Sequence, residues 1–576
     1  MIFIVKIKQN IVNKINAASG EKIAGAQDLV LPPNPEMGDF SFACFNVARD
    51  KKINPAQAAQ ELAAQIKPDT ILKEAKAVGP YVNFTLQTNK LAQAVLAEVK
   101  NDYGKLNLGK QKKIIVEYAC PNVNKAFHIG HLRNIITGEA IIRLWENCGY
   151  KVLRVNYQGD VGMHIAKSIW GILQAEPEFL KIKKESLEKR ITFLGKAYAT
   201  GAKAYEENEQ AKAEINELNE RIYKKDRSVM PIWKTARQWS LQYFEAIYQR
   251  VHSRFDYYFF ESAMADRGVE IVRENLAKGV FKQSEGAVIF PGGEYGLHDR
   301  VFINSQGFPT YEAKDLALAE NWFKKFKPAL AIHVVGKEQM EYFKVVFKAL
   351  EYTLPPSKNK ELHVAYGWVH LKGGKMSSRL GNVVTGEDLL AAVSGEVKKL
   401  SKASAVKNKK KLVEKITLAA VKYAILKGGV QKDIAFDMEE SVSLSGNSGP
   451  YLLYTYARIR SIIQKAKNQK NPPQRRAGKK SKKQNDFIIG NDEKKILLKL
   501  VLFPESAKQA AEQYDPSIVS KYLFELAQSF NDYYHRVPVL KAKDEEKVFR
   551  LALISAVAVV LQRGAELLGF ETVERM

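Results

Sequence analysis

Residues Lys112–Gly162 read KKIIVEYACPNVNKAFHIGHLRNIITGEAIIRLWENCGYKVLRVNYQGDVG, and this stretch sets the architecture of the chain. An apolar run, Ile114–Val116, is followed by a loop and then by the tetrapeptide His128–His131. Apolar residues next recur at helical spacing until Gly149, and a second apolar run, Val152–Val155, follows. The pattern predicts a strand, a loop, a helix and a second strand, with two histidines at the start of the helix. In a parallel sheet this position suits an anion, because the first N–H groups of the helix are unpaired and its dipole favours negative charge.

The composition indicates a soluble protein of several domains that meets an acidic partner. The chain has 576 residues, 46% of them hydrophobic and 26% charged, with a formal net charge of +26. This excess favours nucleic acid as the partner, with a solubility adaptation as the alternative. The three cysteines, Cys44, Cys120 and Cys148, are far apart, so we expect a reducing compartment and no zinc. No apolar run is long enough to span a membrane and no signal peptide is evident, so we expect a cytoplasmic protein without membrane association.

The two histidines of the tetrapeptide suit phosphate chemistry. When ATP activates a carboxylic acid, the protein supplies position and charge for an in-line attack on the α-phosphate. His128 and His131 can donate hydrogen bonds to phosphate oxygens, and Gly130 leaves room for a nucleotide against the backbone. A metal site is the alternative, but it needs further ligands, and nothing in the sequence fixes His164, which lies further on, near the pair. We predict an ATP site at these three residues and no metal ion held by protein side chains.

A second element, Lys372–Asn382, reads KGGKMSSRLGN. Its glycines, two hydroxyl groups and cations make a loop suited to polyphosphate, and a flexible basic surface loop is the alternative. We predict that Lys375, Ser377 and Ser378 bind ATP. We also predict that Lys375 and Arg379 assist catalysis.

Together the two elements resemble the signature motifs of class I aminoacyl-tRNA synthetases. His-Ile-Gly-His matches the first motif, and the loop around Lys375 is similar to the second, Lys-Met-Ser-Lys-Ser. Ser378 stands where that pattern has its second lysine, and Arg379 follows one place later, so either Lys375 or Arg379 carries the main charge. The resemblance implies a Rossmann-type α/β catalytic domain that uses ATP with Mg²⁺, and catalytic roles for His128 and His131.

The identity of the amino acid depends on residues that could receive a planar cation. A guanidinium group demands a carboxylate acceptor in a partly dry pocket. Tyr311 and Asp315 are four residues apart, which puts them on one face of a helix, although a capped surface helix has the same pattern. The pair resembles the Tyr-x-x-x-Asp motif of arginyl-tRNA synthetases, in which both residues contact the guanidinium. In that family Glu117 matches a third guanidinium contact, and Asn122 and Gln339 match residues that hold the rest of the substrate.

The same resemblance implies an order of three domains. These are a small α+β domain at 1–105 that contacts the tRNA elbow, a catalytic domain at 106–385 with a helical insertion at about 168–257, and an all-α anticodon-binding domain at 386–576. The predicted tRNA contacts in the last domain are Tyr454, Arg458, Asn531, Tyr534 and Arg536. The stretch Lys465–Lys483 has nine Lys and Arg and no Asp or Glu, so it either follows RNA phosphates or is a solvated linker.

These motifs predict an arginine–tRNA ligase whose substrates are L-arginine, ATP and tRNA(Arg), and we expect a monomer. One alternative is a class I synthetase of another specificity, such as cysteinyl, which would need zinc-ligand cysteines that the sequence lacks. The other alternative is a tRNA-binding homologue without catalytic activity.

Overall fold

A computed structural model describes residues 2–30, 32, 35–373, 384–400, 408–468 and 488–576. The four predicted site residues of the cationic loop therefore lie outside the described residues: Lys375, Ser377, Ser378 and Arg379. The predicted basic tract is described only as far as Asn468.

The N-terminal part packs four helices against a small antiparallel sheet. In chain order its elements are α1 (Ile2–Ser19), β1 (Leu29–Val30), β2 (Phe40–Ala43), α2 (Phe45–Lys51), α3 (Pro55–Gln65), β3 (Leu72–Val78), β4 (Tyr81–Leu86) and α4 (Thr88–Glu98). The strand order is β1-β2-β4-β3. Asn54 caps α3 by accepting a hydrogen bond from the Ala56 N–H at 2.8 Å, and Pro55 occupies the first turn, where no N–H partner is needed. An ion pair of 2.8 Å between Asp39 and Lys494 ties this part to the C-terminal helices.

The central part is built on a parallel sheet. Its elements are β5 (Lys113–Glu117), α5 (Ile129–Asn147), β6 (Lys151–Gln158), α6 (Met163–Gln174), α7 (Glu176–Ile182), α8 (Leu187–Glu207), α9 (Glu209–Tyr223), α10 (Met230–Arg250), β7 (Tyr257–Phe260), α11 (Glu261–Leu276), β8 (Lys282–Ser284), β9 (Ala287–Phe290), β10 (Arg300–Ile303), α12 (Tyr311–Phe326), β11 (Leu330–Gly336), α13 (Met340–Thr353), β12 (Glu361–Tyr366) and β13 (Val369–Leu371). The five long strands are parallel in the order β12-β11-β5-β6-β7. Strands β8, β9 and β10 form a separate antiparallel sheet.

The order strand, loop, helix and strand that the opening stretch predicts is confirmed by β5, α5 and β6. Helix α5 is amphipathic in sequence but buried on most sides, because later helices cover the face away from the sheet. Gly149 ends it with φ of +83°, a left-handed conformation that a side chain would disfavour.

The predicted helical insertion is confirmed in kind, since helices α6 to α10 fill the connection between β6 and β7. Helices α6 and α8 approach closely at two glycines. A Cβ atom at Gly171 would lie 2.0 Å from the Ala197 carbonyl oxygen, and one at Gly201 would lie 1.9 Å from that of Lys167. The glycines therefore set the spacing of the two backbones.

The C-terminal part is helical. Its elements are α14 (Gly386–Leu400), α15 (Lys409–Leu426), β14 (Ile434–Phe436), α16 (Met438–Val442), α17 (Gly449–Lys467), α18 (Asn491–Glu512), α19 (Ser517–Arg536) and α20 (Asp544–Leu567). Strand β14 pairs in parallel with β13, and the buried Arg133 of α5 donates hydrogen bonds to the carbonyls of Trp368, Val430 and Lys432 around that pair. These hydrogen bonds connect α5, the helix that begins at the two predicted histidines, to the C-terminal part of the chain.

One helix in the described part of the chain is long and apolar enough to cross a membrane. It covers Glu545–Leu567, with a mean hydropathy of 1.6 and half of the relevant window buried inside the protein. Helix α20 packs against α17, α18 and α19. A core helix of a soluble protein has the same properties, so this helix is weak evidence for a membrane.

Candidate active site

A cavity of about 570 Å³ opens at the carboxyl ends of the parallel strands. This edge of a parallel sheet is where ligands of such folds bind. Seven of the predicted site residues line the cavity: Glu117, Asn122, His128, His131, Tyr311, Asp315 and Gln339. The structure thus brings together both histidines of the signature and all five predicted arginine contacts.

The two histidines form a reciprocal cap at the start of α5. The His128 Nδ1 atom accepts from the backbone N–H groups of Gly130 at 3.1 Å and His131 at 3.4 Å, and the His131 Nδ1 accepts from the His128 N–H at 3.3 Å. Their rings are stacked with centroids 3.7 Å apart. Because each Nδ1 is an acceptor, the proton of each neutral ring is on Nε2. A Cβ at Gly130 would lie 2.9 Å from the His128 ring, so this glycine leaves room for the stack.

Both histidines favour the neutral form. Burial, with the nearby Lys125 charge, lowers the pKa of His128 below its usual value. Burial, with the neighbouring His128 and Lys125, lowers the pKa of His131 further. At neutral pH the pair therefore offers two neutral N–H donors.

The residues that follow the predicted cationic loop lie against the signature. The Ile129 N–H donates to the Val384 carbonyl at 3.1 Å, and the Gly386 N–H donates to the Phe127 carbonyl at 2.8 Å. Thr385 forms an isolated bridge with His128. The segment that follows the predicted loop is therefore joined to the start of α5.

Glu117 ends strand β5, and its side chain is buried beside the cavity. One carboxylate oxygen, Oε2, lies 2.5 Å from the Nδ1 of His333. The other, Oε1, accepts a long hydrogen bond of 3.4 Å from the Cys120 thiol. Burial and the Glu117 charge raise the pKa of that thiol well above its usual value, so Cys120 remains a neutral donor.

Asp315 lies one turn beyond Tyr311 on α12, as the sequence predicts. Its Oδ2 accepts a hydrogen bond of 2.7 Å from the Tyr342 hydroxyl. Burial and the nearby Glu117 charge raise the pKa of Asp315 to about 8. Two carboxyl groups in one partly dry cavity repel each other, which makes a cation the ligand best suited to it.

The loop after β6 supports the wall of the cavity. A Cβ at Gly159 would lie 2.2 Å from the Asn122 Oδ1, so only glycine leaves Asn122 in its position. The next residue, Asp160, is buried, accepts from the Ser262 N–H and hydroxyl at 2.8 Å each, and pairs with Arg237 at 3.1 Å. These three contacts, two from Ser262 and one from Arg237, hold the loop in place.

Sequence reasoning missed an ion pair in the cavity wall. Lys314 and Glu261 are both buried and bonded to each other, and Glu261 lines the cavity. Lys314 lies between the predicted residues Tyr311 and Asp315, but nothing in the sequence connects it to Glu261. Arg300, Glu312 and Tyr342 also line the cavity without a sequence signal.

A second cavity, of about 590 Å³, lies among the C-terminal helices. Three predicted tRNA contacts line it: Tyr454, Arg458 and Tyr534. The Arg458 guanidinium lies 4.8 Å from the centre of the Tyr534 ring and donates a hydrogen bond to the Asn531 side chain. Asn531 in turn donates to the hydroxyl groups of Tyr451 and Thr455. Asn531 does not line the cavity itself, but these bonds hold it where it can orient Arg458.

The fifth predicted tRNA contact, Arg536, does not line this cavity. Its guanidinium pairs with Asp492 at 2.8 Å.

The sheet order, the capped histidines and the cavity at the strand ends define a class I aminoacyl-tRNA synthetase. The family model "tRNA synthetases class I (R), catalytic domain" matches residues 91–438. The models "Arginyl tRNA synthetase N terminal domain" and "DALR anticodon binding domain" match residues 5–86 and 452–576.

Similar proteins and solved structures show to which family within this class the chain belongs. The arginine–tRNA ligase of Halothermothrix orenii is 32% identical over 583 residues, which cover 99% of each chain. That of Treponema pallidum is 33% identical and covers 98% of each chain. The arginyl-tRNA synthetase structure from Thermus thermophilus has a TM-score of 0.80 and 25% identity, covering 99% of this chain and 100% of that one. The chain belongs to the arginyl-tRNA synthetase family.

Proposed function

We propose that the chain attaches L-arginine to tRNA(Arg) in two steps at the cavity of the parallel sheet. Arginine first attacks the α-phosphate of ATP, giving arginyl-adenylate and pyrophosphate. The arginyl group then passes to the 2′-hydroxyl of the terminal ribose of the tRNA. The observation that carries this proposal is that one cavity is lined by the signature histidines and by two carboxyl groups suited to a guanidinium.

The arginine side chain would meet Glu117, Asp315 and Tyr311. His333 engages one oxygen of Glu117, and Tyr342 engages one oxygen of Asp315. The second Glu117 oxygen has only the long contact with the Cys120 thiol, so both groups keep acceptor capacity for the substrate. A planar guanidinium can span two such acceptors with separate N–H groups. Asn122 and Gln339 would hold the α-amino and carboxyl end of arginine. The close approach of the Gly159 backbone to the Asn122 side chain, which only a glycine permits, supports that role for Asn122.

The ATP phosphates would meet the start of α5. The neutral Nε2–H groups of His128 and His131 would donate to phosphate oxygens as negative charge grows on the leaving pyrophosphate. Lys375, Ser377, Ser378 and Arg379 would complete the phosphate site, which the contact between Ile129 and Val384 supports. Mg²⁺ would accompany ATP and neutralise phosphate charge, and we expect phosphate oxygens rather than side chains to hold it. Gly130 would face the nucleotide through its backbone.

The tRNA would bind across all three predicted domains, 1–105, 106–385 and 386–576. The C-terminal cavity presents an aromatic ring stacked on a guanidinium, which is the chemistry that binds unpaired bases. We assign this cavity to the anticodon loop. The proposal takes a monomer in the cytoplasm as the active form.

The test is ATP–pyrophosphate exchange with each amino acid, with and without tRNA(Arg). Exchange that depends on arginine and fails with lysine or citrulline supports the proposal. Exchange with another amino acid but not with arginine would contradict the specificity. If there is no exchange while tRNA binds tightly, the chain is a tRNA-binding homologue without catalytic activity.

A further inference from the structure

His333 lies behind the cavity between two carboxyl groups. It is opposite Glu117 in the pairing of β11 with β5 and opposite His363 in the pairing with β12. Its Nδ1 lies 2.5 Å from the Glu117 Oε2, and its Nε2 lies 2.8 Å from the Glu361 Oε2. A carboxylate accepts hydrogen bonds, so a ring that bonds one at each nitrogen carries both protons and is an imidazolium.

The surroundings of this ring favour the charged form. Burial alone would lower the pKa of His333, but the Glu117 and Glu361 carboxyl groups outweigh it and raise the value to about 10. The other faces of the ring meet the apolar rings of Trp322, Phe343 and Phe347. Two further titratable groups feel its charge, since His333 lowers the pKa values of Asp315 and His363.

The Glu117–His333–Glu361 triad has no direct place in the chemistry of ATP or tRNA. His333 and Glu361 do not line the cavity, whereas Glu117 does. The triad therefore contacts the cavity through Glu117, whose orientation it fixes, and the His333 charge also lowers the pKa of Asp315 in the cavity wall.

We propose that His333 is a positioning residue that holds Glu117 as a fixed carboxylate and thereby sets the preference of the cavity for a cationic side chain. This inference rests on the proposed function of the cavity. The positive charge at 333 bonds the Glu117 carboxyl directly and offsets the negative charge that Asp315 and Glu361 place in the same region. Without it, three acidic groups would share one buried region with no histidine cation to hold and balance the carboxyl group that faces the cavity.

The test is His333→Gln in the full chain, with steady-state aminoacylation between pH 6.5 and 8.5. Glutamine keeps one hydrogen bond but carries no charge. We expect the KM for arginine at pH 7 to rise by about tenfold or more, with kcat and the KM for ATP changed by less than about threefold. We also expect the KM for arginine to rise more steeply on acidification over this range than in the wild type, because the His333 charge lowers the pKa of Asp315 and its loss would raise that pKa further.

The matched control is His363→Gln on the neighbouring strand. His363 is at the same register, packs against Phe343 and bonds only a backbone carbonyl, that of Val335. A purely structural role of the triad predicts that both variants lose stability without a change in the pH slope. Only His333→Gln should change that slope and weaken the preference for arginine over its neutral analogue citrulline.

A second measurement tests the inference without a variant. In the ¹⁵N spectrum of histidine-labelled wild-type protein, one of the nine histidines should remain an imidazolium at pH 8.5. No charged imidazole at that pH, or an unchanged KM and slope in His333→Gln, would overturn the role of His333. A wild-type chain without arginine-dependent exchange would instead overturn the proposed function itself.

Discussion

Asp315 links arginine binding to pH. The pKa of its carboxyl group is raised to about 8 by burial and by the Glu117 charge, so the group is largely protonated at pH 7. A guanidinium stays charged throughout this range, so its binding requires Asp315 to lose the proton. The KM for arginine should therefore fall as pH rises towards 8 and level off above it.

Asp315→Asn is the control for this dependence. Its amide cannot ionise, so the KM for arginine should be at least about tenfold higher at pH 8.5 than in the wild type and nearly independent of pH. A wild-type KM that does not change with pH, or a dependence that persists in the variant, would contradict the role of Asp315. Aminoacylation rates at varied arginine concentration measure both.

His131→Ala tests the donor role of the signature. Loss of one N–H donor to the developing charge should lower the rate of arginine-dependent pyrophosphate exchange by about 10²- to 10³-fold, with little change in the KM for arginine. Because both histidines are neutral, the wild-type rate should not fall as pH rises from 6.5 to 8. A fall over that range would mean that an imidazolium is required.

At the scale of single residues, the sequence identifies a side chain when local pattern and chemistry coincide. The signature histidines stand at a helix start that periodicity predicts, and Tyr311 and Asp315 share a helix face by their spacing. Lys314 stands between that pair, yet its partner Glu261 comes from another helix. A buried pair of this kind depends on tertiary packing, which local sequence does not encode.

At the scale of helices and strands, the sequence likewise predicts what is local and does not predict what depends on tertiary packing. Alternating strand and helix patterns predict a parallel sheet, but not the order β12-β11-β5-β6-β7, which depends on how the chain crosses over. The chain enters β11 only after the helical insertion and the small antiparallel sheet, and then pairs it directly with β5. His333 meets Glu117 through that pairing alone, so the triad could not be predicted from the sequence.

Helix packing in the insertion gives a prediction about stability. Gly201→Ala places a methyl group against the Lys167 carbonyl, so it should force α6 and α8 apart and lower the free energy of unfolding by about 1–3 kcal/mol. Gly395→Ala in α14 is the control. Apart from its own helix, none of the described residues places an atom within 4 Å of its Cβ position, and alanine favours the helix, so stability should rise by about 0.5–1 kcal/mol. Thermal unfolding of both variants measures the difference, and equal effects would contradict the close approach of the two helices.

At the scale of the whole molecule, we assign the net charge of +26 and the C-terminal cavity to the binding of tRNA and not to the binding of arginine. Arg458→Ala should raise the KM for tRNA(Arg) by about fivefold or more, because it removes the cation stacked on Tyr534. Arginine-dependent exchange at saturating tRNA should stay within about twofold of the wild type. Arg536→Ala, which breaks a surface pair with Asp492, is the comparison and should have a smaller effect. An equal effect of the two variants would argue against the cavity as the anticodon site.

The three-domain order is predicted from sequence because each part carries its own motifs, and the N-terminal, catalytic and anticodon-binding family models follow one another in that order. The contacts between the parts are not predictable in the same way. Arg143 of α5 donates to the Glu566 carbonyl of α20, and the Tyr103 hydroxyl donates to the Leu500 carbonyl of α18. These contacts join residues hundreds of positions apart through single hydrogen bonds to backbone atoms.

The most direct measurement of the central claim is the attachment of labelled arginine to tRNA(Arg) by the full chain. With ATP and Mg²⁺ present, the account predicts that arginine is esterified to the terminal ribose of this tRNA. Lysine and citrulline should not be esterified, and Asp315→Asn should slow the reaction by about tenfold or more at low arginine concentration. Esterification of another amino acid in place of arginine, or none at all by a folded chain that binds the tRNA, would contradict the account.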